Sequence, residues 1–96
     1  KKYFLYCIAK YPTRINEISF TKMTKFDGFS DHTEGILAPI IFALKNRNTK
    51  SLKFFEKHVS IAESSGPDKP FSLDIHDLKK YIGEIAKINK IKSLKL

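Results

Sequence analysis

The chain contains a single cysteine, Cys7, and no tryptophan. Without a second thiol an intramolecular disulfide is excluded, and cysteine usage gives no sign of an oxidising compartment. Equally lacking is any apolar run near the roughly 20 residues needed to span a bilayer. Lys1-Lys2 followed by Tyr3 to Ala9 has a charged flank, but its apolar part is too short for a signal peptide. The expectation is a cytoplasmic protein with no membrane partner. Nucleic-acid signatures are missing too: no helix-turn-helix pattern, no zinc-finger spacing and no Gly-aromatic strand motif.

What is present is a 96-residue chain, 42% hydrophobic, with eight Phe and four Tyr supplying much of the apolar mass. That suffices for one modest core with a thin stability margin. The net charge of +8 and the pI near 9.7 would suit nucleic acid, a membrane surface or anionic substrates. The lysines are spread along the chain and thicken only at Lys87, Lys90, Lys92 and Lys95. Such a spread is more often a solubilising surface than a recognition patch.

Tyr3 to Ala9 is an apolar and aromatic run of the kind buried on both faces of a parallel sheet, with Cys7 as a small core residue inside it. Asn16 is positioned to cap a short helix carrying Ile18, Phe20 and Met23 and ending near Phe26. Asp27 to Ser30 reads as a very short strand or a loop. Thr33 can cap a helix bearing Ile36, Leu37, Ile40, Ile41 and Leu44, with Glu34 in its first turn. Pro39 implies either a kink or a helix that begins there. Asn46 to Lys50 reads as polar linker, Leu52 to Ile61 as holding a strand, and Ser64 to Pro67 as loop. A last helix is predicted from about Ile75 to Ile91, capped by Asp74. This alternation of strands and helices predicts parallel strands with helical crossovers.

In such architectures the working residues lie at the carboxyl ends of strands. His32 and His58 would come from adjacent strands, and two imidazoles with open positions suit a divalent metal that also binds water or a substrate oxygen. From spacing alone, two histidines this far apart are more often unrelated structural residues. His76, near the start of the last helix, is read as structural outright. Ser30, beside a helix start at Thr33, suits phosphate, although it equally suits a plain strand end. Asp68 could accept a substrate hydroxyl, although Gly66-Pro67-Asp68 is also an ordinary turn.

Leu5-Tyr6-Cys7-Ile8-Ala9-Lys10-Tyr11-Pro12-Thr13, Gly28-Phe29-Ser30-Asp31-His32-Thr33-Glu34-Gly35, Glu56-Lys57-His58 and Gly66-Pro67-Asp68 occur in that order. The series resembles the sialic acid synthase family, which includes N-acetylneuraminate, legionaminate and pseudaminate synthases and spore-coat polysaccharide relatives. The resemblance covers Tyr3 to about Ile88. It implies an α/β fold: the C-terminal segment of a TIM (β/α)₈ barrel, strands six to eight with their helices, as one partial domain over residues 1–96. It implies condensation of phosphoenolpyruvate with an N-acylated amino sugar to a nine-carbon 2-keto sugar acid. On this resemblance His32 and His58 correspond to the metal ligands, holding manganese, magnesium or cobalt. Ser30 corresponds to a phosphoenolpyruvate contact, and Tyr11 to a sugar-side residue. Asp68 corresponds to a contact with substrate or a metal-bound water, and it and Tyr11 are the expected catalytic pair.

The chain departs from that pattern at several points. Ala9 stands where the family commonly has Asn or Ser, and Lys69 follows Asp68 where histidine is frequent. The stretch from Thr13 to Gly28 is short, and the loop from His58 to Gly66 is slightly trimmed. The family's earlier strands, with their phosphoenolpyruvate-binding lysines and an essential acidic residue, are not in these 96 residues. Nor is its antifreeze-like C-terminal domain, which brings an arginine from the partner subunit of a homodimer. The isolated chain is therefore expected to be inactive. Competing readings are another phosphate-binding barrel with an aldol-type reaction, or a small basic module for nucleic acid.

Overall fold

The computed structural model describes residues 1–49, 51–61 and 72–91. Three parallel strands form its centre: β1 (Leu5–Tyr6), β2 (Gly28–Asp31) and β3 (Phe54–Lys57), in that spatial order. Leu5, Gly28 and Phe54 stand side by side, as do Tyr6, Phe29 and Phe55. Asp27 ties the start of the sheet together. Its carboxylate accepts from the Phe4 N–H at 2.8 Å, its own N–H donates to the Phe4 carbonyl, and its carbonyl accepts from Lys53. A second parallel pair joins β4 (Val59–Ser60) to β5 (Leu73–Asp74). Every strand pairing among the described residues is parallel, as the alternating sequence predicts.

Side chains alternate across a strand, so the three-stranded sheet has two chemically different faces. Tyr6, Phe29 and Phe55 point to the helix-covered face, where Phe29 packs with Ile18, Met23, Ala38, Phe42 and Leu52. The covering helices are α1 (Phe20–Met23), α2 (Leu37–Thr49) and α3 (Ile75–Lys90). The opposite face carries Leu5, Gly28 and Phe54, and then Ser30 and Glu56 one register step further along. An apolar hollow of about 340 Å³ is lined there by Tyr3, Leu5, Phe54, Phe55 and Glu56.

Several expectations from sequence change. The run from Tyr3 to Ala9 is not a strand buried on both faces: only Leu5 and Tyr6 pair, Phe4 is 65% exposed, and Cys7 is an exposed residue beyond the strand end. The cap of α1 is Ser19, whose hydroxyl accepts from the Lys22 N–H, while Asn16 lies in a short 3-10 helix, Ile15–Glu17. The stretch expected as a very short strand or loop from Asp27 to Ser30 is strand from Gly28 onward, and β2 is entirely buried from Gly28 to Asp31. Helix α2 begins at Leu37, beyond Thr33, so Thr33 does not cap it. Pro39 falls in its first turn, where a missing N–H costs nothing. That helix also runs on through Asn46 to Thr49, in place of the expected linker. The expected strand over Leu52 to Ile61 is two strands broken at His58. Helix α3 matches its predicted span within a residue, and the Asp74 side chain caps it by accepting from the His76 N–H at 2.8 Å. The predicted loop from Ser64 to Pro67, and with it Asp68 and Lys69, lies outside the described residues.

Candidate functional site

His32 directly follows β2 and His58 directly follows β3, so adjacent parallel strands deliver both imidazoles to one end of the sheet. Their ring centroids are 6.4 Å apart. Backbone contacts hold each in place. The His32 carbonyl accepts from the Thr13 N–H at 3.0 Å, and the His58 carbonyl accepts from the Leu73 N–H at 2.8 Å. The chain leaves the three-stranded sheet at His58 and enters the β4–β5 pair immediately after it.

The His32 Nδ1 lies 2.7 Å from the Ile8 carbonyl oxygen. A carbonyl can only accept, so Nδ1 carries a proton, and in the neutral ring Nε2 keeps the lone pair. That is the tautomer a metal-ligating histidine adopts when a backbone carbonyl orients it. With metal–nitrogen bonds of roughly 2.1 Å, the centroids of two imidazoles on one ion stand at most about 6.5 Å apart. That ceiling holds for nitrogens on opposite sides of the ion, so at 6.4 Å the two rings would stand nearly across it from one another, and binding at adjacent positions requires them to draw closer. No group of three or more His, Cys, Asp or Glu forms a complete ligand set among the described residues. The remaining positions would fall to water or a substrate oxygen.

Tyr11 closes the group. Its ring stacks on His32 with centroids 4.0 Å apart and planes 22° from parallel, and its hydroxyl is 3.4 Å from the His58 Nε2. The loop that presents it is pinned by Thr13, whose hydroxyl donates to the Lys10 carbonyl at 2.6 Å. Of the residues expected from sequence, His32, His58 and Tyr11 therefore converge. Ser30 stands on the same face but spends its hydroxyl proton on Glu56 Oε1, 2.5 Å away. Because α2 starts at Leu37, the helix end expected beside Ser30 is not there. His76 lies apart, exposed in the first turn of α3.

Sequence reasoning missed two residues here, Glu56 and Cys7. Ser30 and His32, like Glu56 and His58, are spaced by two, and this spacing puts them on one face of their strands. Cys7 Sγ lies 3.6 and 3.7 Å from the two ring nitrogens of His32. Partial burial of the sulfur pushes the Cys7 thiol above its usual range, and the Glu56 charge adds to this, outweighing the lowering influence of the neighbouring Ser30 hydroxyl. A thiol held in its neutral form is a poor nucleophile. A cleft of about 390 Å³ lined by Pro12, Thr13, Arg14, Ile15, Thr33, Glu34 and Leu37 lies nearby, and no imidazole lines it.

Taken together, this is a parallel α/β unit that gathers two imidazoles and a tyrosine at its strand ends. The chain belongs to the NeuB family, whose model matches residues 1–95. It is 32% identical over 89 residues to a pseudaminic acid synthase of Helicobacter pylori, a match covering 84% of this chain and 25% of that protein. It is likewise 32% identical over 94 residues to an N,N'-diacetyllegionaminic acid synthase of Campylobacter jejuni, covering 90% of this chain and 27% of the relative. An uncharacterized protein of Methanocaldococcus jannaschii is 28% identical over 95 residues, covering 91% and 27%. The chain thus spans about a quarter of the length of these relatives. No solved structure gives a significant match. Among the described residues no helix is long and apolar enough to cross a membrane.

Proposed function

We propose that this chain forms strands six to eight of a synthase barrel that joins phosphoenolpyruvate to an N-acylated amino sugar, and that it supplies the metal-binding corner of that site. The observation that carries the reading is the pairing of His32 and His58 at adjacent strand ends, with the His32 Nε2 lone pair left for a ligand by the Ile8 carbonyl. A divalent ion held there, manganese above all, would polarise the sugar carbonyl toward attack by C3 of phosphoenolpyruvate. Tyr11, stacked on His32, would present its hydroxyl to the sugar. Ser30 would contact phosphoenolpyruvate, turning toward that anion the proton it now gives Glu56. Asp68 would bind a substrate hydroxyl or a metal-bound water. The remaining barrel strands and an antifreeze-like domain, as in the family's homodimers, would complete the site.

Manganese titration of the chain, wild type against His32→Ala and His58→Ala, tests this reading. Both variants are expected to lose most of the affinity. Unchanged binding in both would end the metal assignment, and with it the proposed role of this corner.

A further inference from the structure

One residue before each imidazole, on the helix-covered face, Asp31 and Lys57 are Cα partners across β2 and β3. Their side chains form an ion pair with Nζ 2.9 Å from Oδ2 and side-chain exposures of 0% for Asp31 and 3% for Lys57. The Lys57 ammonium also donates to the Thr33 carbonyl at 2.6 Å. Asp31 Oδ1 in turn accepts from both the Thr33 N–H at 2.8 Å and the Thr33 hydroxyl at 2.7 Å. One buried ammonium therefore grips the residue before His32 and the residue after it, and itself immediately precedes His58.

Stability explains such a pair poorly. Desolvating two charges costs several kcal/mol per ion, and apolar replacements of similar volume are often neutral or stabilising. What the pair does supply is geometry. A one-residue slip between β2 and β3 would turn the imidazoles toward opposite faces, and the Asp31–Lys57 bridge ties those strands at the position next to both rings. The clasp on Thr33 also sets the course of the backbone as it leaves His32. Neither charged side chain lies on the imidazole face, so neither can touch a ligand there.

We infer that Asp31 and Lys57 are positioning residues: their buried bridge sets the separation and ring orientation of His32 and His58. The inference rests on the metal reading above for one of its readouts and is independent of it for the other. Asp31→Asn/Lys57→Met removes both charges at nearly constant volume and leaves Asn able to accept from the Thr33 N–H. The variant is expected to fold, by far-ultraviolet circular dichroism. It should nevertheless bind manganese roughly tenfold to a hundredfold more weakly, the usual cost of disturbing groups that orient metal ligands. In the metal-free chain, nitrogen-15 NMR of the His32 ring should shift from one tautomer to a mixture. A folded double variant with wild-type manganese affinity and an unchanged His32 tautomer would overturn the inference. Should the double variant fail to fold, Asp31→Asn alone, a single-atom change, is put through the same two measurements. His32→Ala and His58→Ala run alongside: wild-type binding in those two sinks the metal reading, and the tautomer readout still decides the positioning.

Discussion

The Tyr11 ring lies over the His32 imidazole at a centroid distance of 4.0 Å, while its hydroxyl reaches toward His58. One residue thus contacts both imidazoles in chemically different ways, by stacking on one and by a polar contact with the other. Tyr11→Phe keeps the stack and drops the hydroxyl, so manganese affinity should stay close to wild type. Tyr11→Ala removes the stack as well and should weaken affinity by the about 0.5–1.5 kcal/mol that aromatic pairs contribute, or roughly 2- to 12-fold. Isothermal titration of the two variants separates these effects. Equal loss in both would place the whole contribution on the hydroxyl.

Gly28 sits between Leu5 and Phe54 at the start of β2. A Cβ there would fall against the Phe54 carbonyl oxygen and within 2.8 Å of Leu5 Cδ2. The obstacle is mainly backbone of the paired strand, which cannot yield without parting β2 from β3. Gly28→Ala should therefore cost about 3 kcal/mol or more, at the upper end of overpacking penalties. A thermal melt checks this, and an unshifted transition would mean that the strands separate more readily than their register suggests.

Much of this arrangement is legible in the chain itself, for reasons that differ from residue to residue. Helix α3 is readable because Asp74 caps it and its apolar residues recur at helical spacing, both local properties. Parallel pairing follows from the alternation of strands and helices. The position of Cys7 is not legible in the sequence, because an apolar run does not say which of its residues hydrogen-bond; the run pairs only at Leu5 and Tyr6, and Cys7 beyond them meets His32. The break at His58 is invisible locally, since it arises from pairing with Leu73 and Asp74 far along the chain. The Asp31–Lys57 bridge needs the register of two strands 26 residues apart. Glu56 is the instructive miss. Its spacing of two from His58 already placed it on the site face, but only the register showed Ser30 as its partner.

Phe29 is 1% exposed and its ring meets those of Tyr6, Phe20, Phe42 and Phe55. Among the described residues it is the one through which the sheet, α1 and α2 all make ring contacts, and it directly precedes Ser30. Phe29→Ala should destabilise the chain by about 3–5 kcal/mol, the range for large aromatic truncations in cores. In a domain this small such a loss approaches the whole stability. Urea denaturation should show the midpoint falling sharply, or no folded baseline at all. Phe29→Leu should retain a cooperative transition, and an equal loss in both variants would show that ring contacts rather than cavity volume govern the site.

Tyr81, on α3, packs its ring 5.7 Å from that of Phe55 and is almost completely buried. Burial first, and then the charge of Asp31, pushes its phenol from the ordinary 10.0 up to about 12. The sign of the effect on stability follows from which state holds the proton. Between pH 10 and about 12 the unfolded chain has lost the phenolic proton while the folded chain keeps it. Folding stability from this residue is therefore complete below pH 10 and falls as pH rises toward 12. Lysines titrate in the same range, so the comparison must be with Tyr81→Phe, which lacks the phenol but keeps the ring packing. Denaturation midpoints measured across that window should fall more steeply for wild type than for Tyr81→Phe. The ultraviolet phenolate signal lost in the variant should be the late-rising part of the wild-type curve. Parallel pH profiles would show that the Tyr81 hydroxyl reaches water, and that α3 does not seal the helix-covered face above Phe55.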